Sequence, residues 1–269
     1  MDTLVEYAGP AQSGGPFARL TLNSPHNRNA LSAGLVGQLH QGLRDAAADP
    51  SVRALVLGHA GGTFCAGADL SQASGASGGD PFDAAADRAR ELTALLRAIV
   101  ECPLPVVAAI DGHVRAGGLG LVGACDIAVA GPRSTFALTE ARIGVAPAII
   151  SLTLLPKLSA RAAGRYYLTG ETFSAEEAAN IGLVTFASND VEAAVASLVR
   201  ELGRGSPQGL AASKALTTAS VLEGFDRDAE RLSVDSARLF VSDEAREGML
   251  AFLQKRPPRW AQPAGDGAV

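Results

Sequence analysis

The chain has 269 residues, 47% of them hydrophobic, with 23 basic and 28 acidic side chains for a formal net charge of -5, and 3 cysteines. That describes a globular protein long enough to bury a substantial core. An odd cysteine count without a CxxC pair argues against a disulfide framework or structural zinc and for a reducing compartment, the cytoplasm. Negative charge with no Lys/Arg block counts against bulk nucleic-acid binding.

The N-terminus, MDTLVEYAGP, has neither a basic nor an apolar stretch of the kind a secretory signal carries. Leu35, Leu39, Leu43 and Ala47 step by four behind Ser32, a capping residue type, and Asp49-Pro50 closes the pattern, which predicts an amphipathic helix. Residues 52–57 form an apolar run that predicts a buried strand, followed by a turn and TFCAGADL. Residues 71–81, SQASGASGGDP, read as a flexible surface loop. Leu92, Leu95, Leu96 and Ile99 mark a second helix ending near Cys102-Pro103. Residues 105–110 predict another strand, which leads into DGHVRAGGLGLVGACD, and residues 125–130 a third. The most apolar stretch, 144–158, is broken by two prolines, a serine, a threonine and a lysine, so no membrane span is expected. Beyond Thr139 the pattern is mostly helical as far as Trp260. The order predicts an α/β core over residues 1–200, a helical region over 201–260 and a disordered tail over 261–269. No internal repeat of fixed period is evident.

Two motif matches fail their context. Residues 75–79 fit GxSxG but lie in a Ser/Gly loop rather than between a strand and a helix. Residues 118–123 fit GxGxxG but start well past the strand that should deliver a dinucleotide loop. His26, His40, His59 and His113 stand far apart, without ligand spacing, so no metal is expected. What remains is a pair of small-residue loops, CAGAD (65–69) and RAGGLG (115–120), each just beyond an apolar strand. Both can present backbone N–H groups to a ligand, and two converging donors make an oxyanion hole.

With RNALS (28–32), TFCAGADL (63–70), AAIDGHVRAGGLGLVGACDIAVA (108–130), TFALTEARIGVAP (135–147), YYLTGETFSAEEAANIGLV (166–184) and AFLQKRPPRW (251–260), the chain resembles the crotonase superfamily, the enoyl-CoA hydratase/isomerase family. The resemblance implies a crotonase-like spiral of ββα repeats with a C-terminal helical trimerisation region, in a homotrimer or a dimer of trimers, and a role in lipid metabolism. It implies an acyl-CoA thioester substrate and no separate cofactor, coenzyme A entering as part of the substrate. The N–H groups of Ala68 and Gly117 correspond to the oxyanion hole and Glu140 to the proton-transferring carboxylate. Ala66 and Leu70 correspond to positions beside the adenine, Arg28 to a cation near the phosphates, and Phe252 and Lys255 to a pair that reaches a neighbouring subunit's CoA. Gly118, Gly120 and His113 are candidate pocket-lining residues.

The resemblance breaks at one position. Hydratases of this family carry a first glutamate three residues after the second oxyanion donor, and here that residue is Gly120. Three readings follow. A hydratase could borrow another water-positioning group, from His113, Arg115, Asp80 or Asp83. A Δ3,Δ2-enoyl-CoA isomerase needs only the one glutamate. An acyl-CoA-binding protein could catalyse slowly, carry out a decarboxylation, or act as a scaffold. A similarity of AGGLGLVGACDIA and FALTEARIGVAPAIIS to a branched-chain or glutaconyl-type subgroup adds Arg115 and Arg142 as partners for a distal substrate carboxylate.

Overall fold

A computed structural model describes residues 2–69 and 80–261. Leu70, the GxSxG match at 75–79, most of the expected loop 71–81 and nearly all of the expected tail lie outside them.

The chain opens with β1 (Val5–Ala8), α1 (Pro10–Ser13) and β2 (Phe17–Leu22), then α2 (Ala33–Ala48), β3 (Ala54–His59) and β4 (Thr63–Cys65). Next come α3 (Pro81–Glu101), β5 (Val106–Ile110), β6 (His113–Arg115), α4 (Gly117–Ala124), β7 (Ile127–Ala130) and β8 (Thr135–Ala137). The remainder comprises α5 (Ser151–Leu154), α6 (Ala160–Thr169), β9 (Phe173–Ser174), α7 (Ala175–Asn180), β10 (Phe186–Ala187), α8 (Val191–Leu202), α9 (Pro207–Phe240) and α10 (Asp243–Leu253). From Pro207 onward the described chain is helical apart from short connections.

Two sheets form, in the orders β1-β2-β3-β5-β7-β10 and β4-β6-β8-β9. Strands pair in parallel except for β1 with β2 and β8 with β9. Three successive strand pairs, β3-β4, β5-β6 and β7-β8, each give one strand to each sheet, which is the ββα spiral. The repeat escapes a search for fixed periods because its turns begin at Ala54, Val106 and Ile127, at unequal intervals. Both faces of the larger sheet are covered, which is why β3 and β5 read as unbroken apolar runs. Leu55, Leu57, Val106 and Ala108 pack into the main core, while Val56, Val107 and Val129 meet Val191, Val195 and Val199 of α8.

Ser32 caps α2 by accepting the Leu35 N–H, and Leu35, Leu39 and Leu43 are buried as predicted. The stripe continues through Ala46 rather than Ala47, since a period of 3.6 drifts behind steps of four. Helix α3 starts far earlier than Leu92. Asp80 accepts the Phe82 N–H as its cap, Pro81 occupies the first turn and Asp83 follows, so both acids serve a helix start.

A buried ion pair fastens α9 to the sheet. Lys214 Nζ lies 2.7 Å from Asp126 Oδ2 and donates to the carbonyls of Ile99 and Leu104, while the same carboxylate accepts the Val106 N–H.

Candidate active site

Strands β4 and β6 are parallel neighbours with Cys65 opposite Val114, so the segments that leave them emerge side by side. Glycine is required at position 67. Its φ is +90°, and a Cβ there would lie 2.7 Å from Ala116 Cβ and 3.2 Å from the Gly117 nitrogen. Ala116 itself sits at φ 46°, ψ −123°, a conformation that costs an alanine about 1–3 kcal/mol and is held by the packing around it. That backbone sets the Gly117 nitrogen beside Gly67 of the neighbouring loop.

The RNALS segment fixes the other side. Leu31 donates its N–H to Gly67 O at 2.8 Å and forms a parallel bridge with Ala68, and Ala66 donates to Arg28 O at 3.1 Å. In a parallel bridge the facing residue turns its own N–H away from the partner strand, so Ala68 N–H points away from Leu31. Gly117 opens α4, where the first N–H groups have no intrahelical acceptor. Among the described residues neither N–H donates to a protein group. Two free donors on adjoining loops are what a developing oxyanion requires.

Glu140 follows one spiral turn later. Strand β8 lies beside β6, with Ala116 N–H directed to Ala137 O at 3.4 Å, and a 3-10 turn over Glu140–Ile143 comes next. Glu140 is only 8% exposed, and its Oε2 has no hydrogen-bond partner among the described residues. Burial pushes its carboxyl up to about 7, against a smaller opposing contribution from its own backbone. Helix α10 holds the turn from behind: a Cβ on Gly248 would lie 2.4 Å from Ile143 O, and one on Gly144 2.7 Å from Glu244 C.

Gly120 lies one turn into α4, where a side chain would have to displace its packed neighbours. A Cβ would meet Ile150 Cγ2 at 2.5 Å and Leu96 Cδ1 at 3.2 Å. Gly118 abuts the backbone and Cβ of Cys65. Residues 118–123, the GxGxxG match, are helical and buried in α4.

The other predicted residues separate into those beside the loops and those elsewhere. Ala66 is half-buried against Arg28, whose side chain is exposed. His113 is exposed on β6 and bonds Thr135 through Nδ1, so it does not join Glu140. Arg115 runs back along β8, donating to the carbonyls of Val114 and Thr135 and to the Thr135 hydroxyl, away from the end of β8 that leads to Glu140. Arg142 donates twice to Thr169 O at the end of α6. Both guanidiniums are thus engaged with backbone carbonyls. Phe252, 60% exposed, and Lys255, also exposed, lie at the end of α10. Among the described residues no hydrogen bond or ion pair joins them to Arg28 or Ala66.

Sequence reasoning missed Asn29, Ser151 and Tyr167. Asn29 is fully buried, accepts the Ser24 N–H and donates to the carbonyls of Ala60 and Thr63, which ties the RNALS segment to the turn between β3 and β4. Its φ of 54° is one asparagine tolerates, a signal the sequence did offer. No group of three or more His, Cys, Asp or Glu side chains among the described residues could hold a metal ion. No helix among them is long and apolar enough to cross a membrane.

Fold and site define a protein of two stacked small-residue loops and one desolvated carboxylate, and known proteins share that frame. The enoyl-CoA hydratase/isomerase pattern matches residues 14–263. A crystal structure of an enoyl-CoA hydratase from Mycobacterium avium is 75% identical, superposes with a TM-score of 0.90, and is matched over 97% of this chain and 100% of that one. The enoyl-CoA hydratase domain-containing protein 3, mitochondrial, of Danio rerio is 30% identical over 93% of this chain and 86% of its own length. A peroxisomal Delta(3,5)-Delta(2,4)-dienoyl-CoA isomerase of Arabidopsis thaliana is 28% identical over 90% and 92%. The chain belongs to the enoyl-CoA hydratase/isomerase family. Membership implies an acyl-CoA substrate and chemistry of the lyase or isomerase class.

Proposed function

We propose that the protein is an enoyl-CoA hydratase that adds water across the 2-enoyl double bond of an acyl-CoA thioester. The observation that carries this reading is the buried Glu140 carboxylate with an unpartnered oxygen, one spiral turn from two unused N–H donors. The thioester carbonyl accepts from Ala68 N–H and Gly117 N–H. Ionised Glu140 takes a proton from water as the oxygen bonds to Cβ, the π pair moves toward the thioester oxygen, and the protonated carboxyl returns that proton to Cα. A group with a pKa of about 7 does both jobs at neutral pH. Coenzyme A enters with the substrate, with Arg28, Ala66 and Leu70 along it and Phe252 and Lys255 serving a neighbouring copy in a homotrimer or dimer of trimers.

A second reading, Δ3,Δ2-isomerase, draws on Gly120, because the space a first carboxylate would need is taken by Ile150. Incubating the protein with a short 2-enoyl-CoA and, separately, a 3-enoyl-CoA in deuterated water tests both. Hydration yields a 3-hydroxyacyl-CoA carrying deuterium at Cα. Double-bond migration without hydration overturns the first reading in favour of the second. In either reaction Glu140→Gln lowers turnover by about 10²–10⁴-fold.

A further inference from the structure

Hydration with one carboxylate leaves a question of geometry: what holds the water opposite Cβ, when Gly120 carries nothing, Asp80, His113 and Arg115 are engaged elsewhere, and Asp83 is an exposed acid in the first turn of α3. Ile150, which fills the space over Gly120, is followed directly by Ser151 at the start of α5. Ser151 Oγ lies 2.7 Å from Pro147 O and 3.1 Å from the Tyr167 hydroxyl on α6. Both side chains are only partly buried, and α6 packs against the turn that carries Glu140.

The direction of this chain of hydrogen bonds is fixed from one end. A carbonyl can only accept, so Ser151 gives its single proton to Pro147 O. The Ser151 oxygen then accepts from Tyr167, whose own proton is committed. The Tyr167 oxygen is left with free lone pairs and acts as an acceptor. Burial pushes the phenol up to about 12, opposed by the Ser151 hydrogen bond and aided by a smaller contribution from the Glu140 charge, so it stays protonated at neutral pH.

We propose that Tyr167, oriented by Ser151, accepts one O–H of the attacking water while Glu140 takes the other, and so performs the water-holding half of the work that the missing first glutamate would do. Tyr167 neither gains nor loses a proton; the proton balance is the one already given, from water to Glu140 to Cα. The assignment rests on the hydratase reading and concerns only steps that involve water.

The test compares the wild type, Tyr167→Phe, Ser151→Ala and Glu140→Gln in two assays. One is hydration of crotonyl-CoA; the other is exchange of the Cα protons of butyryl-CoA in deuterated water, which needs the oxyanion donors and a base but no attacking water. Tyr167→Phe should slow hydration by about 10- to 100-fold and change exchange by less than about threefold. Ser151→Ala should move in the same direction to a smaller extent, and Glu140→Gln should lose both activities. Equal loss of both in Tyr167→Phe would mean a structural role and overturn the proposal, as would unchanged hydration. A wild type that exchanges Cα protons but does not hydrate crotonyl-CoA would instead remove the hydratase reading, and this proposal with it.

Discussion

Glu140→Gln tests the burial of the carboxylate separately from its chemistry. Folding raises the Glu140 pKa from 4.5 to about 7, so the folded protein holds this proton more tightly than the unfolded chain does. Below pH 4.5 both states are protonated and the difference costs nothing. As pH rises from 4.5 toward 7 the unfolded chain ionises first, and folding stability falls by about 1.4 kcal/mol per unit, to a total of about 3 kcal/mol that stays constant above pH 7. Glutamine has no ionisation to lose, although its amide adds donors without acceptors and costs about 1–3 kcal/mol at every pH. The substitution should therefore destabilise near pH 4.5 and come close to neutral, or stabilise, at pH 8. Urea unfolding of both proteins at several pH values and one fixed protein concentration measures this. Wild-type minus variant stability should change by about 3 kcal/mol across the window. Parallel curves would show that the carboxyl titrates normally, and the derivation from burial would be wrong. The same ionisation should govern wild-type Cα exchange, which rises about tenfold per pH unit below pH 7 and then levels off.

Gly120→Ala sets helix propensity against packing. Alanine favours the helix by about 1 kcal/mol, but its Cβ would press on Ile150 at 2.5 Å, and overpacking costs about 1–3 kcal/mol. Melting curves should show no gain or a loss, and Ile150→Ala in the same chain should cost less than the two single changes combined, whereas an additive double-mutant cycle would sink the steric account. Lys214→Met should destabilise by about 3–5 kcal/mol in denaturant titrations because it strands a carboxylate that is 16% exposed. Adding Asp126→Asn should recover part of that loss; no recovery would mean that packing rather than charge dominates there.

Much of this was legible in the sequence where a residue type has one physical use. Ser32 before an apolar stripe gave a helix start, and the all-apolar β5 gave a strand buried on both faces. The glycines and alanines of CAGAD and RAGGLG signalled close backbone approach, and Gly67 and Ala116 meet there. The start of α3 was hidden because Asp80-Pro81 ends a Ser/Gly-rich stretch that locally favours a loop, and only the packing of α3 on α9 turns that pair into a cap. Lys214 looks like any solvated lysine until the fold brings Asp126 and two carbonyls to it. Ser151 and Tyr167 were invisible for a similar reason: each is ordinary alone, and their polarity comes from a carbonyl that only the three-dimensional turn supplies.

The spiral also explains why the site tolerates glycine at position 120. Cys65, Arg115 and Ala137 are the last residues of β4, β6 and β8, three strands lying side by side in one sheet. Ala68 is the third residue beyond the first, Gly117 the second beyond the next, and Glu140 the third beyond the last. Each turn of the spiral thus contributes one candidate group at the same height, where the chain leaves the sheet, and the sheet sets the spacing between them. Position 120 belongs to no such exit. It lies a turn inside α4, facing the core residues Ile150 and Leu96, and a carboxylate there would have to be carved out of packing rather than supplied by the repeat. The two unpaired N–H groups and the buried carboxylate proposed as oxyanion donors and proton carrier follow from the architecture itself, whereas the proposed water-holding group, Tyr167, is an addition to it on α6 that leaves the frame undisturbed.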